Sequence, residues 1–158
     1  MAPLRSIPRK IGTALLMGPR RQLLVAEACA SMLVARVLLA VLPFRRVAVR
    51  LGTFVPPTDP RVQAQAGALD ADRARIARAV GWAVRVSAPH MPFRSVCLQQ
   101  AMAAQAMLRR RGIASVMHFG AGKGDEKPID AHAWLDAAGV KVTGYPVKPT
   151  MAELGCFV

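Results

Sequence analysis

FRSVCLQQAMAAQAMLRRRGI, residues 93–113, is the stretch on which the fold turns. Ser95 has the short hydroxyl side chain of a helix N-cap. Leu98, Ala101, Met102, Gln105 and Leu108 then recur at helical spacing. Arg109, Arg110 and Arg111 put positive charge at the negative end of that helix, and Gly112 is a natural stop. The stretch predicts a helix that starts beside Cys97 and ends at the arginines.

The flanks set the fold class. Downstream, residues 113–119 alternate like a strand. Residues 120–127, GAGKGDEK, read as a polar hairpin connection, because their glycines lack P-loop spacing and no helical pattern follows. Residues 130–136 form a second strand, Ala137, Ala138 and Gly139 a tight turn, and residues 140–145 a third strand. The rest, with Pro146 and Pro149, reads as a tail. Upstream, Asp70 is an N-cap with Asp72 in the first turn, and the helix runs to Ser87 with Ile76, Ala79, Val80, Ala83 and Val84 on one face. Pro89 and Pro92 close it. Residues 23–42 form a first helix, with Leu24, Ala28, Met32, Leu33, Val37 and Ala40 near helical spacing, ended by Pro43. Helices first and a small antiparallel sheet after them make an α+β layout. Residues 1–51 are read as a basic helical segment, 52–69 as a connector broken by Pro56, Pro57 and Pro60, and 70–158 as the core unit.

Composition narrows the function classes. The chain has 158 residues, 53% of them apolar, which suffices for one core. Cys29, Cys97 and Cys156 are scattered and odd in number, so no disulfide framework is expected and a reducing cytoplasm is. There is no C-x-x-C pair, and His90, His118 and His132 lack zinc-site spacing, so neither metal nor cofactor is expected. The net charge of +13 is concentrated early: residues 1–50 hold nine Arg/Lys against Glu27 alone. Such a segment suits a membrane surface or an acidic peptide, whereas no basic run is interleaved with aromatics as a nucleic-acid binder would be. The start of the chain, with Arg5, Arg9 and Lys10 before the apolar patch at residues 11–17, has the look of a signal peptide, but the patch is short and no small-residue cleavage site follows cleanly. Residues 23–44 are long enough to span a bilayer, but Glu27 and Arg36 would each cost about 3 kcal/mol at its centre. They read as a buried or membrane-surface helix.

Cys97 and His132 carry the chemistry. A thiol near a helix N-terminus feels the positive end of the macrodipole, and the first N–H groups there are free for an oxyanion. A histidine on a later strand can serve as its base. The expectation without function is a small buried thiol and a hydrogen-bonded strand histidine. Trp134 reads as core, His118 and His90 as structural or exposed.

These blocks also resemble a family. Residues 23–51, LLVAEACASMLVARVLLAVLPFRRVAVRL, are similar to the N-terminal helix of the lasso-peptide leader peptidases, stand-alone "B" maturation proteins with a papain/transglutaminase-like fold. Arg94, Cys97 and Leu98 resemble their R-x-x-C-L block, and Ala131, His132, Ala133 and Trp134 their A-H-A-W block. The resemblance implies that residues 70–158 are a transglutaminase-like cysteine protease core. Cys97 would be its nucleophile and His132 its general base. It implies removal of a leader from a ribosomally made precursor peptide, with no cofactor. A separate leader-recognition protein would present the leader, and an ATP-dependent lasso cyclase would take the product. The family's acid on the strand after A-H-A-W has no counterpart, since residues 142–145 read VTGY. A hairpin turning at Ala138 sets Gly144 opposite His132. Thr143, Tyr145 and Asp130 are the side-chain candidates for the orienting third group, with a backbone carbonyl or water as substitutes. Two alternatives stay open: acyl transfer to an amine, as transglutaminases perform, and a weakened scaffold that binds the leader or a membrane.

Overall fold

The computed structural model describes residues 18–67, 70–124 and 128–158. The apolar patch read at residues 11–17 lies outside them. Helix α1, Pro19–Val41, has a proline in its first turn, where no backbone donor is lost. It ends because Leu42 precedes Pro43 and is forced into extended backbone. The buried stripe of α1 is Ala28, Ser31, Met32 and Ala35, spaced i, i+3, i+4, i+7. It is narrower than the spacing expected, and Leu33 and Val37 point outward with Leu23, Val34 and Val41. Helix α2, Phe44–Leu51, follows at once and buries Val47 and Leu51.

The region expected as a connector folds into two elements. Strand β1, Phe54–Val55, is short. Helix α3, Pro60–Ala66, starts at a proline in its first turn, and the Asp59 carboxylate accepts the Arg61 N–H. Pro60 initiates structure rather than interrupting it. Helix α4, Ala71–Ser87, is capped by Asp70, which accepts from Asp72 N–H and Arg73 N–H. A short 3-10 turn, Ala88–His90, follows.

Helix α5, Cys97–Arg109, is apolar nearly all round, as a central helix must be. It packs against α1 and α4. Its C-terminal end is tied down twice. Arg109 donates to the Arg50 and Leu51 carbonyls at the end of α2, and Arg110 and Arg111 both bind the Glu27 carboxylate on α1. The arginines are therefore internal cross-links, not the solvent charges that a helix end would carry.

The sheet has five strands. Strand β2 is Val116–Lys123, β3 Ile129–Ala137, β4 Val140–Thr143 and β5 Ala152–Phe157. Their order is β1-β5-β2-β3-β4, and every pair is antiparallel. Two expectations fail here. Residues 120–123 continue β2 instead of starting a loop, and the expected tail supplies β5, an inner strand. Cross-strand partners share a face, so Met117, Leu135 and Phe157 look toward the helices, while His118, Trp134 and Cys156 look the other way. The first set joins a core with Ala28, Met32, Val84 and Met107. On the second face α3 places Val62 against Val116 and Cys156. The basic N-terminal helix and the later core are thus one packed unit.

Candidate active site

Cys97 is the first residue of α5. Ser95, expected as the N-cap, is one position too early: its hydroxyl turns to Met32 Sδ at 3.3 Å and its carbonyl receives the Gln100 side-chain amide at 2.9 Å. The cap position is held by Val96, whose apolar side chain cannot bond to the first-turn N–H groups. Gln99 folds back to accept the Val96 N–H at 3.3 Å, which holds the entering chain. The helix thus begins with its positive end uncapped by any side chain, at the thiol.

A pocket of about 280 Å³ opens there. Gly81 and Arg85 of α4, Cys97 and Gln100 of α5, and His132 of β3 line it, with the 141–146 stretch along its edge. Gly81 permits the approach of α4 to β4, since a Cβ there would sit 2.5 Å from the Val142 carbonyl oxygen. Cys97 and His132 therefore line one cavity. No hydrogen bond joins the thiol to the imidazole; both residues border the cavity. The charges of the lining are all positive: Arg85 and Lys141 are exposed on it and no carboxylate is among its residues. The Lys141 ammonium also lies over the Tyr145 ring, 5.0 Å from its centre.

His132 is held by a backbone group. Its Nε2 is 2.6 Å from the Gly144 carbonyl oxygen. A carbonyl can only accept, so Nε2 carries the proton and, in the neutral ring, Nδ1 keeps the lone pair that a base needs. Gly144 has φ +82°, and a Cβ there would come within 2.5 Å of the Ala133 carbonyl oxygen and 2.7 Å of Trp134 Cα. Only glycine lets the chain turn against β3 closely enough to deliver that carbonyl. Trp134 stacks on the other side, its ring 6.0 Å from that of His132.

None of the three side chains expected as orienting groups hydrogen-bonds to His132. Tyr145 donates its hydroxyl to Asp136 Oδ1 at 2.6 Å, and burial together with that carboxylate pushes the phenol pKa well above its ordinary value. Asp130 faces Lys148 Nζ at 3.5 Å. Thr143 lines the pocket with its hydroxyl buried and without a hydrogen-bond partner. Hairpin counting puts Gly144 near the imidazole, but nothing in the residue type announces its carbonyl as the partner.

A second thiol–imidazole pair lies on the sheet face away from the helices, the face that also carries Trp134 and His132. His118 Nδ1 is 3.3 Å from Cys156 Sγ and 2.5 Å from Glu153 Oε1, while its Nε2 is 3.3 Å from Asp136 Oδ2. Burial opposes a charge on His118, but Asp136 and Glu153 outweigh it and hold the imidazolium pKa above its ordinary value. Burial pushes the Cys156 thiol up to about 12, reinforced by Glu153. That pair was not legible in advance, because it depends on β5.

Residues 38–153 match the family model described as the transglutaminase-like superfamily. Neither the curated proteins nor the solved structures give a match.

Proposed function

Since this chain belongs to the transglutaminase-like superfamily, which contains cysteine proteases and acyl transferases, we propose that it is a cysteine peptidase. Its role would be to remove the leader from a ribosomally made precursor during lasso-peptide biosynthesis. The observation that carries the reading is the shared pocket of Cys97 and His132, with His132 held by Gly144 in the tautomer of a base. The R-x-x-C-L and A-H-A-W blocks support the lasso-peptide assignment.

The steps follow from the groups present. His132 Nδ1 takes the thiol proton, and Cys97 Sγ attacks the carbonyl carbon of the last leader residue. The negative charge that forms on its oxygen meets the uncapped N–H groups at the start of α5. Collapse breaks the C–N bond, and His132 returns the proton to the leaving amine. Water, deprotonated by His132, then cleaves the thioester. A separate leader-recognition protein presents the leader, and an ATP-dependent cyclase consumes the freed core peptide. In this reading the reaction runs in the cytoplasm, and the outward apolar residues of α1 would serve as a peripheral membrane contact.

The test is mass spectrometry of a candidate precursor incubated with the protein and its recognition partner. Wild type releases the leader; Cys97→Ala and His132→Ala, folded by circular dichroism, do not. Retained release by either variant sinks the assignment. One observation favours a second reading, a scaffold that binds the leader without cutting: among the described residues no carboxylate contacts His132. Leader binding by a wild type that never cleaves would select it. A product heavier than the hydrolysis product would instead select transfer to an amine.

A further inference from the structure

The geometry points to a transition-metal site, of the type that takes Zn²⁺, formed by His118 Nδ1, Glu153 Oε1 and Cys156 Sγ on the sheet face opposite the central helix. The three atoms form a compact triangle, 2.5 Å from nitrogen to oxygen, 3.0 Å from sulfur to oxygen and 3.3 Å from sulfur to nitrogen. An imidazole, a thiolate and one carboxylate are a nitrogen–sulfur–oxygen set that suits Zn²⁺ and excludes Mg²⁺ or Ca²⁺, which demand oxygen.

Three further features fit. Glu153 and Cys156 are three residues apart, and in a regular strand they would face opposite sides. The register shift between Phe119 and Gly120 against β5 brings both to His118. Next, His118 Nε2 faces the Asp136 carboxylate at 3.3 Å, and Asp136 is itself fixed by the Tyr145 hydroxyl. His118 Nε2 makes no hydrogen bond as it stands, but a small turn of the Asp136 carboxylate would make it the outer partner of a metal-bound histidine, with the proton on the distal nitrogen and the other free for the ion. With the proton on Nε2, the Nδ1 lone pair points at a carboxylate oxygen and a sulfur. Three electron-rich atoms in contact call for a positive charge among them. In the metal-free state protons on Nδ1 and Sγ supply it; when a divalent ion enters, both protons leave to solvent.

The size is suitable. Ligand separations around tetrahedral Zn²⁺ are about 3.3–3.6 Å, so the nitrogen–oxygen edge must open by under about 1 Å. Glu153 is exposed and can swing to allow it, whereas His118 and Cys156 are buried. Three protein ligands leave a fourth position on the Glu153 side. Spacing along the chain cannot reveal this site, because its ligands come from two strands 35 residues apart. It clamps β5 to β2 behind the stacked Trp134, whose ring lies 5.4 Å from that of His118. It does not rest on the peptidase reading.

The test uses the full chain, stripped by chelator and titrated with Co²⁺ alone. One equivalent should produce a thiolate-to-cobalt charge-transfer band in the near ultraviolet, and Zn²⁺ should displace it. Cys156→Ser should abolish the band. Glu153→Gln, a change at an exposed position that leaves packing alone, and Asp136→Asn should each weaken binding about 10–100-fold. Cys97→Ala should keep the band. Wild type without a band at excess Co²⁺ overturns the site and leaves a proton-bridged polar cluster. A band lost in Cys97→Ala and kept in Cys156→Ser also overturns it, by moving the metal to the pocket.

Discussion

The molecule contains two pairs of cysteine and histidine, and they differ in every property that decides reactivity. Cys97 and His132 line an open pocket edged by Arg85 and Lys141, without a carboxylate. Cys156 and His118 touch one another in the interior, with Glu153 and Asp136 against them. Counting side chains alone, the second pair looks the more complete, since its imidazole has both a thiol and an acid. Yet its thiol is sealed off, and burial first, then Glu153 and Asp136, makes it more basic. A nucleophile needs access and a positive field, and both occur at the start of α5. Proximity of sulfur to imidazole is a poor guide without the sign of the surrounding charge.

The largest expected difference between the pairs is in rate. Cys97→Ala should lower leader release at least about 10³-fold, while Cys156→Ser should lower it less than tenfold per folded molecule. The reverse order would exchange the roles of the two pairs. Alkylation of the native protein, mapped by mass spectrometry, should mark Cys97 at neutral pH at least about 10²-fold faster than Cys156, which must wait for local opening. Equal labelling would break the contrast.

Gly144 sharpens it further. Gly144→Ala should cost about 1–3 kcal/mol of stability from strain and about 10²-fold in rate from a displaced imidazole. Gly112, at φ +65° with open space around it, is the control. Gly112→Ala carries backbone strain but should leave leader release per folded molecule unaltered. A loss of rate as large as that of Gly144→Ala would mean that the carbonyl contact is irrelevant.

The smallest effect belongs to the anchored end of the same helix. The hydrogen bond from Arg111, with help from Arg110, holds the Glu27 carboxyl below its ordinary 4.5 despite partial burial. A depressed folded-state pKa gives stability that is present above the unfolded value and lost as pH falls through the folded one. Glu27→Gln should therefore cost about 1 kcal/mol at neutral pH, and denaturant melts should show the gap closing below pH 4.5. A gap constant down to strong acid would remove the ion pair from the account.

How much of this was legible follows from what each residue type encodes locally. Helix α4 was readable end to end because Asp70 caps it and prolines follow it. The placing of Cys97 at a helix start was readable, though Val96 rather than Ser95 holds the cap. Strand β5 was not, because AELGCF has no clean alternation and its bulge appears only once β2 pairs with it. For the same reason His118 read only as structural or exposed. The partner of His132 was half readable: turn counting set Gly144 opposite the imidazole and a backbone carbonyl stood among the substitutes, but no residue type joins the two into one contact.

The central claim is tested most directly by quenching the reaction with acid during turnover of a candidate precursor and mapping the acyl-enzyme by mass spectrometry. The account predicts a leader thioester on Cys97, absent from Cys97→Ala. Leader release with the adduct on Cys156, or on no cysteine at all, would contradict it.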